Sequence, residues 1–98
     1  LAMKSTMLSD RLYELRTKKR MQQKTLADAI GVDAPLYSRI EKGDRKPKIE
    51  QLDTLAKLLD VQTEELHSLW IADKIVEVAE DAPKGATQRA INIVKEKL

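Results

Sequence analysis

Between Gln23 and Gly43 the chain has room for little except two short helices in contact. Leu26, Ala27 and Ile30 share one face of a helical segment over Gln23 to Ile30, and Gly31 ends it in the left-handed conformation that glycine adopts without a Cβ penalty. Asp33 is already a good N-cap for the next segment, and Pro35 sits in a first turn, where its missing N–H costs nothing. Tyr37 and Ile40 then point to one side before Gly43 closes that helix. So short a connection lays the second helix across the first. Ala27 has to be small because the helices cross there, Val32 fills the corner, and Tyr37 and Ile40 anchor the second helix so that its opposite face is presented outward. Residues 23 to 42 therefore have helix-turn-helix spacing.

The flanking sequence supplies more helix and no strand. Leu8, Leu12 and Leu15 recur at i, i+4 and i+7, which predicts a helix over residues 10 to about 19 with Ser9 as its cap. Beyond a basic loop, Asp44 to Lys48, a fourth helix carries Leu52, Leu55, Ala56 and Leu59, and Thr63 is expected to cap a fifth. That fifth helix has two apolar stripes on nearly opposite sides: Leu66, Leu69 and Trp70 on one, and Ile71, Ile75, Val78 and Ala79 on the other. Pro83 and Gly85 break the chain, and residues 87 to about 97 form a sixth helix with Ala90, Ile91, Val94 and Leu98 on one side. The expected fold is all-α. No alternating run long enough for a strand and no internal repeat stands out.

Composition narrows the class. Ninety-eight residues suffice for one compact core, and the absence of cysteine excludes disulfides and thiolate zinc sites. No apolar run approaches the roughly 20 residues of a membrane span, and no signal peptide is visible. A soluble, cytoplasmic protein is expected, and Leu1 and Ala2, ahead of Met3, are set aside from the fold reasoning as a remnant preceding the natural start. The net charge of +2 conceals polarity. Residues 1 to 48 carry 12 Lys or Arg against 6 Asp or Glu, a net of +6, whereas residues 49 to 98 carry 6 against 10, a net of −4. The front half is the one that attracts a polyanion.

Enzymatic chemistry finds no foothold. His67 is the only histidine and has no second soft ligand nearby, Glu64 and Glu65 are first-turn acids that suit a helix dipole, and glycines 31, 43 and 85 are too dispersed to cradle a phosphate. No nucleophile, base and orienter can be assembled. No enzyme, cofactor, metal or small-molecule ligand is expected.

The run Gln23-Lys24-Thr25-Leu26-Ala27-Asp28-Ala29-Ile30-Gly31-Val32, followed by Tyr37-Ser38-Arg39-Ile40-Glu41-Lys42-Gly43, resembles the Xre family of phage repressor and Cro-like proteins. The match continues through Pro47 and Leu55-Ala56 and covers about residues 8 to 67. The resemblance implies a five-helix, lambda-repressor-like DNA-binding domain over 8–67, a helical extension over 68–98, and a bacterial or phage origin. It implies that Ala34, Pro35, Ser38 and Arg39 face bases in the major groove, with Arg39 offering a bidentate fork to guanine. It places Gln23, Lys42, Arg45, Lys46 and Lys48 on the DNA backbone, and Arg16 and Glu41 in a structural ion pair between the first and third helices. The sequence departs from the family pattern at three places, covering four residues. Tyr37 replaces an aliphatic residue and needs a partner for its hydroxyl, Ala34 and Pro35 are short and apolar where hydrogen-bonding side chains are common, and Lys48 is a poor N-cap for the fourth helix.

Family members commonly dimerise through the helices behind the DNA-reading pair, and the second stripe of the fifth helix needs cover. Trp70, Ile71, Ile75 and Val78 are accordingly assigned to a homodimer interface. The expected function is a sequence-specific repressor or autoregulator that binds double-stranded DNA at a palindromic operator. Within it lies the controller of a restriction-modification operon. An antitoxin whose extension holds a toxin, and an interaction module that no longer reads DNA, are the alternatives.

Overall fold

The computed structural model describes residues 5–98, and Leu1 and Ala2 lie outside the described residues. Six helices follow one another: α1 (Met7–Lys18), α2 (Gln23–Ala29), α3 (Ala34–Lys42), α4 (Ile49–Leu59), α5 (Thr63–Ala79) and α6 (Lys84–Lys97), with no strand among the described residues.

Helix ends follow local chemistry, though not always where the sequence suggests. α1 starts earlier than expected, because Thr6 rather than Ser9 is the cap. The Thr6 hydroxyl accepts from the Ser9 amide at 3.0 Å and the Ser9 hydroxyl accepts from the Thr6 amide at 2.8 Å, a reciprocal capping box that moves Ser9 into the first turn. Thr63 is the first residue of α5 rather than its cap; Gln62 holds the cap position and makes no side-chain bond there. α6 begins at Lys84, so Gly85 lies inside its first turn and does not interrupt it. Lys48 precedes α4 without a side-chain cap, and the amide it leaves is taken by Gln51, whose Oε1 accepts from Lys48 N at 2.9 Å. The same Gln51 donates through Nε2 to the Ile30 carbonyl at 3.2 Å, tying the start of α4 to the end of α2.

Four of the helices end alike. The amide of Val32 donates to Ala27 O and that of Gly31 to Asp28 O, and the same pair of bonds recurs at Asp44–Arg39 with Gly43–Ile40, at Val61–Ala56 with Asp60–Lys57, and at Met21–Arg16 with Arg20–Thr17. Each closure needs a left-handed residue. Gly31 (φ 72°) and Gly43 (φ 85°) supply two, while Arg20 (φ 57°) and Asp60 (φ 58°) adopt the conformation despite their Cβ atoms.

The core is built by α1 to α5. Leu8, Leu12, Leu15, Leu26, Ala27, Tyr37, Ile40, Leu52, Leu55, Ala56, Leu59 and Leu66 form one buried cluster. Ala27 is wholly buried where α2 meets α3, as the crossing requires. α5 runs unbroken across residues 67 and 68, and its Asp73 reaches back to α1, where the carboxylate accepts from Met7 N and Leu8 N at 3.0 Å each. α6 buries no residue.

Candidate nucleic-acid interface

α3 is held by its inner face and shown by its outer one. Its start is capped by Asp33, whose side chain accepts from Leu36 N at 2.8 Å, and Pro35 sits in the first turn. Tyr37, Ile40 and Glu41 turn inward and are buried. Ala34, Pro35 and Arg39 are exposed and Ser38 is half-buried, so these four share the outward side at i, i+1, i+4 and i+5.

The inward face is locked by charge as well as by packing. Arg16 donates from Nε to Glu41 Oε2 at 2.7 Å and from Nη2 to Glu41 Oε1 at 3.0 Å, and its Nη1 donates to the Met21 carbonyl at 2.8 Å. The Glu41 side chain is only 2% exposed. The bond to Glu41 raises the Arg16 pKa further, against the opposing effect of burial, so the guanidinium stays charged. Gln23 belongs to this junction too: its Nε2 donates to Glu41 Oε1 at 3.1 Å. The side-chain amide assigned to a phosphate is therefore engaged with α3, at the first position of α2.

Tyr37 fills the inner position completely, with no accessible surface, and its hydroxyl has no hydrogen-bond partner. Burial pushes the phenol pKa well up and the charge of nearby Glu41 pushes it further, so the group stays neutral. The ring finds room in the core; the hydroxyl lies near the Glu41 carboxylate without reaching ordinary hydrogen-bond geometry.

Beyond α3 the loop runs Gly43-Asp44-Arg45-Lys46-Pro47-Lys48. Lys42, Arg45 and Lys48 are exposed, whereas Lys46 is half-buried with its Nζ 5.6 Å from the centroid of the Trp70 ring. Two contacts here were not anticipated from the sequence. Arg39 donates from Nε to Asp44 Oδ2 at 2.9 Å, so the sole acid in the basic loop holds the candidate base reader. Trp70 donates from Nε1 to the Pro47 carbonyl at 2.8 Å, binding the loop to α5. An acid five residues after Arg39 was the available signal for the first; nothing in the local pattern signalled the second.

The four residues assigned to subunit contact divide. Trp70 packs on the core and the loop, whereas Ile71, Ile75 and Val78 are 49%, 47% and 79% exposed. These three line an apolar groove, together with Trp70, Ile91 and Val94, between α5 and α6. His67 lies elsewhere, its Nε2 2.9 Å from Asp53 Oδ1 across α4 and α5. Among the described residues no cluster of His, Cys, Asp or Glu could hold a metal ion, and no helix is long and apolar enough to cross a membrane.

An outward recognition helix, an inward anchor of Tyr37, Ile40 and Glu41, and a basic loop beyond it define a helix-turn-helix protein of the Xre-like class. The helix-turn-helix family model matches residues 12–66, and the chain belongs to that family. Among curated proteins it is similar to the HTH-type transcriptional regulator AnsR of Bacillus subtilis, at 42% identity over 58% of this chain and 49% of the relative. It is also similar to the cryptic phage CTXphi transcriptional repressor RstR of Vibrio cholerae, at 37% identity over 63% of this chain and 56% of the relative. The chain thus spans about half the length of the curated relatives it matches. Among solved structures it resembles the restriction-modification controller protein C.AhdI of Aeromonas hydrophila, with a TM-score of 0.54 and 37% identity over 60% of this chain and 89% of that one.

Proposed function

We propose that this protein is a sequence-specific transcriptional repressor or autoregulator that inserts α3 into the major groove of double-stranded DNA and binds a palindromic operator as a homodimer. The observation that carries the reading is the division of α3: Tyr37, Ile40 and Glu41 are buried while Ala34, Pro35, Ser38 and Arg39 are left toward solvent beside a basic loop. In this reading the Arg39 fork reads guanine O6 and N7, Ser38 accepts or donates at a neighbouring base edge, and Ala34 and Pro35 offer apolar contact to a thymine methyl. Lys42, Arg45, Lys46 and Lys48 hold the phosphates, as does Gln23 through the Nε2 hydrogen not given to Glu41, and so set register without reading sequence.

The homodimer reading rests on Ile71, Ile75 and Val78, an apolar row too exposed for a single chain in water. A two-fold partner would set the recognition helices roughly 34 Å apart, one DNA turn, on half-sites about 10 base pairs apart. The relatives are regulators of bacteria and phage, which supports action in a bacterial cytoplasm.

Likeness to a controller protein over 89% of that protein's length favours one narrower reading, control of a restriction-modification operon. Selection of binding sites from a random-sequence duplex pool tests the main reading. A two-fold symmetric consensus is expected, and enrichment of no sequence at all would refute it. Sites recovered upstream of nuclease and methyltransferase genes would support the narrower one.

A further inference from the structure

The turn between α1 and α2 carries cations that neither the recognition helix nor the loop after it accounts for. Residues 18–24 hold Lys18, Lys19, Arg20 and Lys24 and no acid. Lys24 pairs with Asp28 at 3.3 Å along α2, whereas Lys18, Lys19 and Arg20 are exposed and their side chains make no hydrogen bond or ion pair among the described residues. The negative end of the α1 dipole suits cations at Lys18, the last residue of the helix, and at Lys19, its cap. That attraction fades beyond the last turn and gives no reason for a third cation at a strained position.

Arg20 is that strained residue. It sits at φ 57° in the left-handed position of the closure that α1, α2, α3 and α4 share. Gly31 and Gly43 fill the position after α2 and α3 without a Cβ, and Asp60 after α4 belongs to a type whose short polar side chain lets it visit the region. Arginine has neither property. Its backbone makes the bond that glycine makes, Arg20 N to Thr17 O at 3.0 Å, and its exposed side chain adds nothing to the fold. Strain kept where the fold gains nothing from the side chain is a mark of use outside the fold.

The turn is also fixed relative to the recognition helix. Arg16 donates from Nη1 to the Met21 carbonyl, next to Arg20, while its Nε and Nη2 hold Glu41 of α3. Gln23, three residues beyond Arg20, donates to the same carboxylate. A polyanion that receives α3 therefore meets the backbone of this turn in a set place, with no further ordering needed.

We infer that Arg20, flanked by Lys18 and Lys19, is a further phosphate-binding site that grips the DNA backbone at the α1–α2 turn, apart from the loop after α3. The chemistry is that of a guanidinium on a phosphate, whose N–H groups donate to its oxygens whatever the base sequence. This site rests on the DNA-binding reading above. It adds affinity and register, not base preference.

The test measures binding of the full chain to a random-sequence duplex between about 50 and 200 mM NaCl, with thermal unfolding alongside. Arg20→Gly removes the cation and the strain together, so the melting midpoint should hold or rise while duplex affinity falls. The slope of log K against log salt should lose about 0.9, the share of one phosphate, which makes the loss of affinity about 3.5-fold greater at the low end of that range than at the high end. Arg20→Lys keeps a charge at the position and should restore the slope. Lys57→Ala removes the same charge from an exposed site about two turns along α4 from the basic loop, and should leave the slope nearly unchanged. Unaltered protein that binds no duplex removes the DNA-binding reading and this site with it. With binding intact, the site alone is overturned by an unchanged slope or a lower melting midpoint in Arg20→Gly, by no recovery in Arg20→Lys, or by an equal loss of slope in Lys57→Ala.

Discussion

Arg16→Met offers the sharpest test of how the recognition helix is held. Glu41 is buried to 2% side-chain exposure and accepts from Arg16 Nε and Nη2 and from Gln23 Nε2. Methionine fills much of the same volume but leaves that carboxylate with one neutral donor in a site closed to water. Stranding a buried charge in this way costs about 3–5 kcal/mol, out of the roughly 5–15 kcal/mol by which a domain is stable. Glu41→Gln should cost less, about 1–3 kcal/mol, because Arg16 is 13% exposed and keeps the Met21 carbonyl as acceptor. The double variant Arg16→Met with Glu41→Leu leaves no stranded charge and should recover about 2 kcal/mol relative to the sum of the single changes. Urea unfolding followed by far-UV circular dichroism measures all three, with the slope checked for constancy. A cost below about 1 kcal/mol for Arg16→Met at unchanged slope would place the pair among surface ion pairs and refute the clamp.

Tyr37→Phe removes a buried hydroxyl that makes no well-formed hydrogen bond, so it should change stability by no more than about 1 kcal/mol; a larger loss in the same unfolding assay would reveal a full bond from that oxygen to Glu41. Arg39→Ala should lower operator affinity by about 1–3 kcal/mol and relax one base pair per half-site in a binding-site selection, and an unchanged consensus would remove Arg39 from the readout. Asp44→Asn separates positioning from charge: losing an acid raises affinity for random duplex, while freeing Arg39 lowers the specific-to-random ratio, and a ratio that holds or rises would show that Asp44 does not orient the fork. Asp60→Gly relieves a left-handed non-glycine residue and should stabilise by about 0.5–1 kcal/mol in thermal unfolding; destabilisation would contradict the strain assigned there. Truncation after Ala82 removes α6 but spares Trp70 and Asp73, so the monomeric body should change by less than about 0.5 kcal/mol while sedimentation shows weaker association; a large loss of stability would mean that α6 covers the core.

The helix-turn-helix was legible in the chain because its determinants are local. Gly31 and Gly43 stand where only a left-handed residue closes the helix, Asp33 lies three residues before the amide it caps, and Ala27, Tyr37 and Ile40 follow from helical spacing. The ion pair of Arg16 and Glu41 was reached through resemblance to a family, not through periodicity. Family likeness also indicated the outward set on α3, but not that Asp44 would hold Arg39 or that Gln23 would turn toward Glu41.

Tertiary packing alone decided the rest. Asp73 caps α1 from 65 and 66 residues away, and Trp70 reaches Pro47 across 23, distances over which no rule of local spacing operates. Both contacts lie on α5 along the stripe that begins at Leu66, with Trp70 in it and Asp73 seven residues on, so the part of this helix beyond residue 68 stays in contact with the body. The sequence by itself determined which segments are helical and which face of each is apolar, since capping and periodicity act within a few residues. Which apolar faces found a partner within one chain, and which charged groups were left to orient the recognition helix and its loop, depended on how five helices close around a single core.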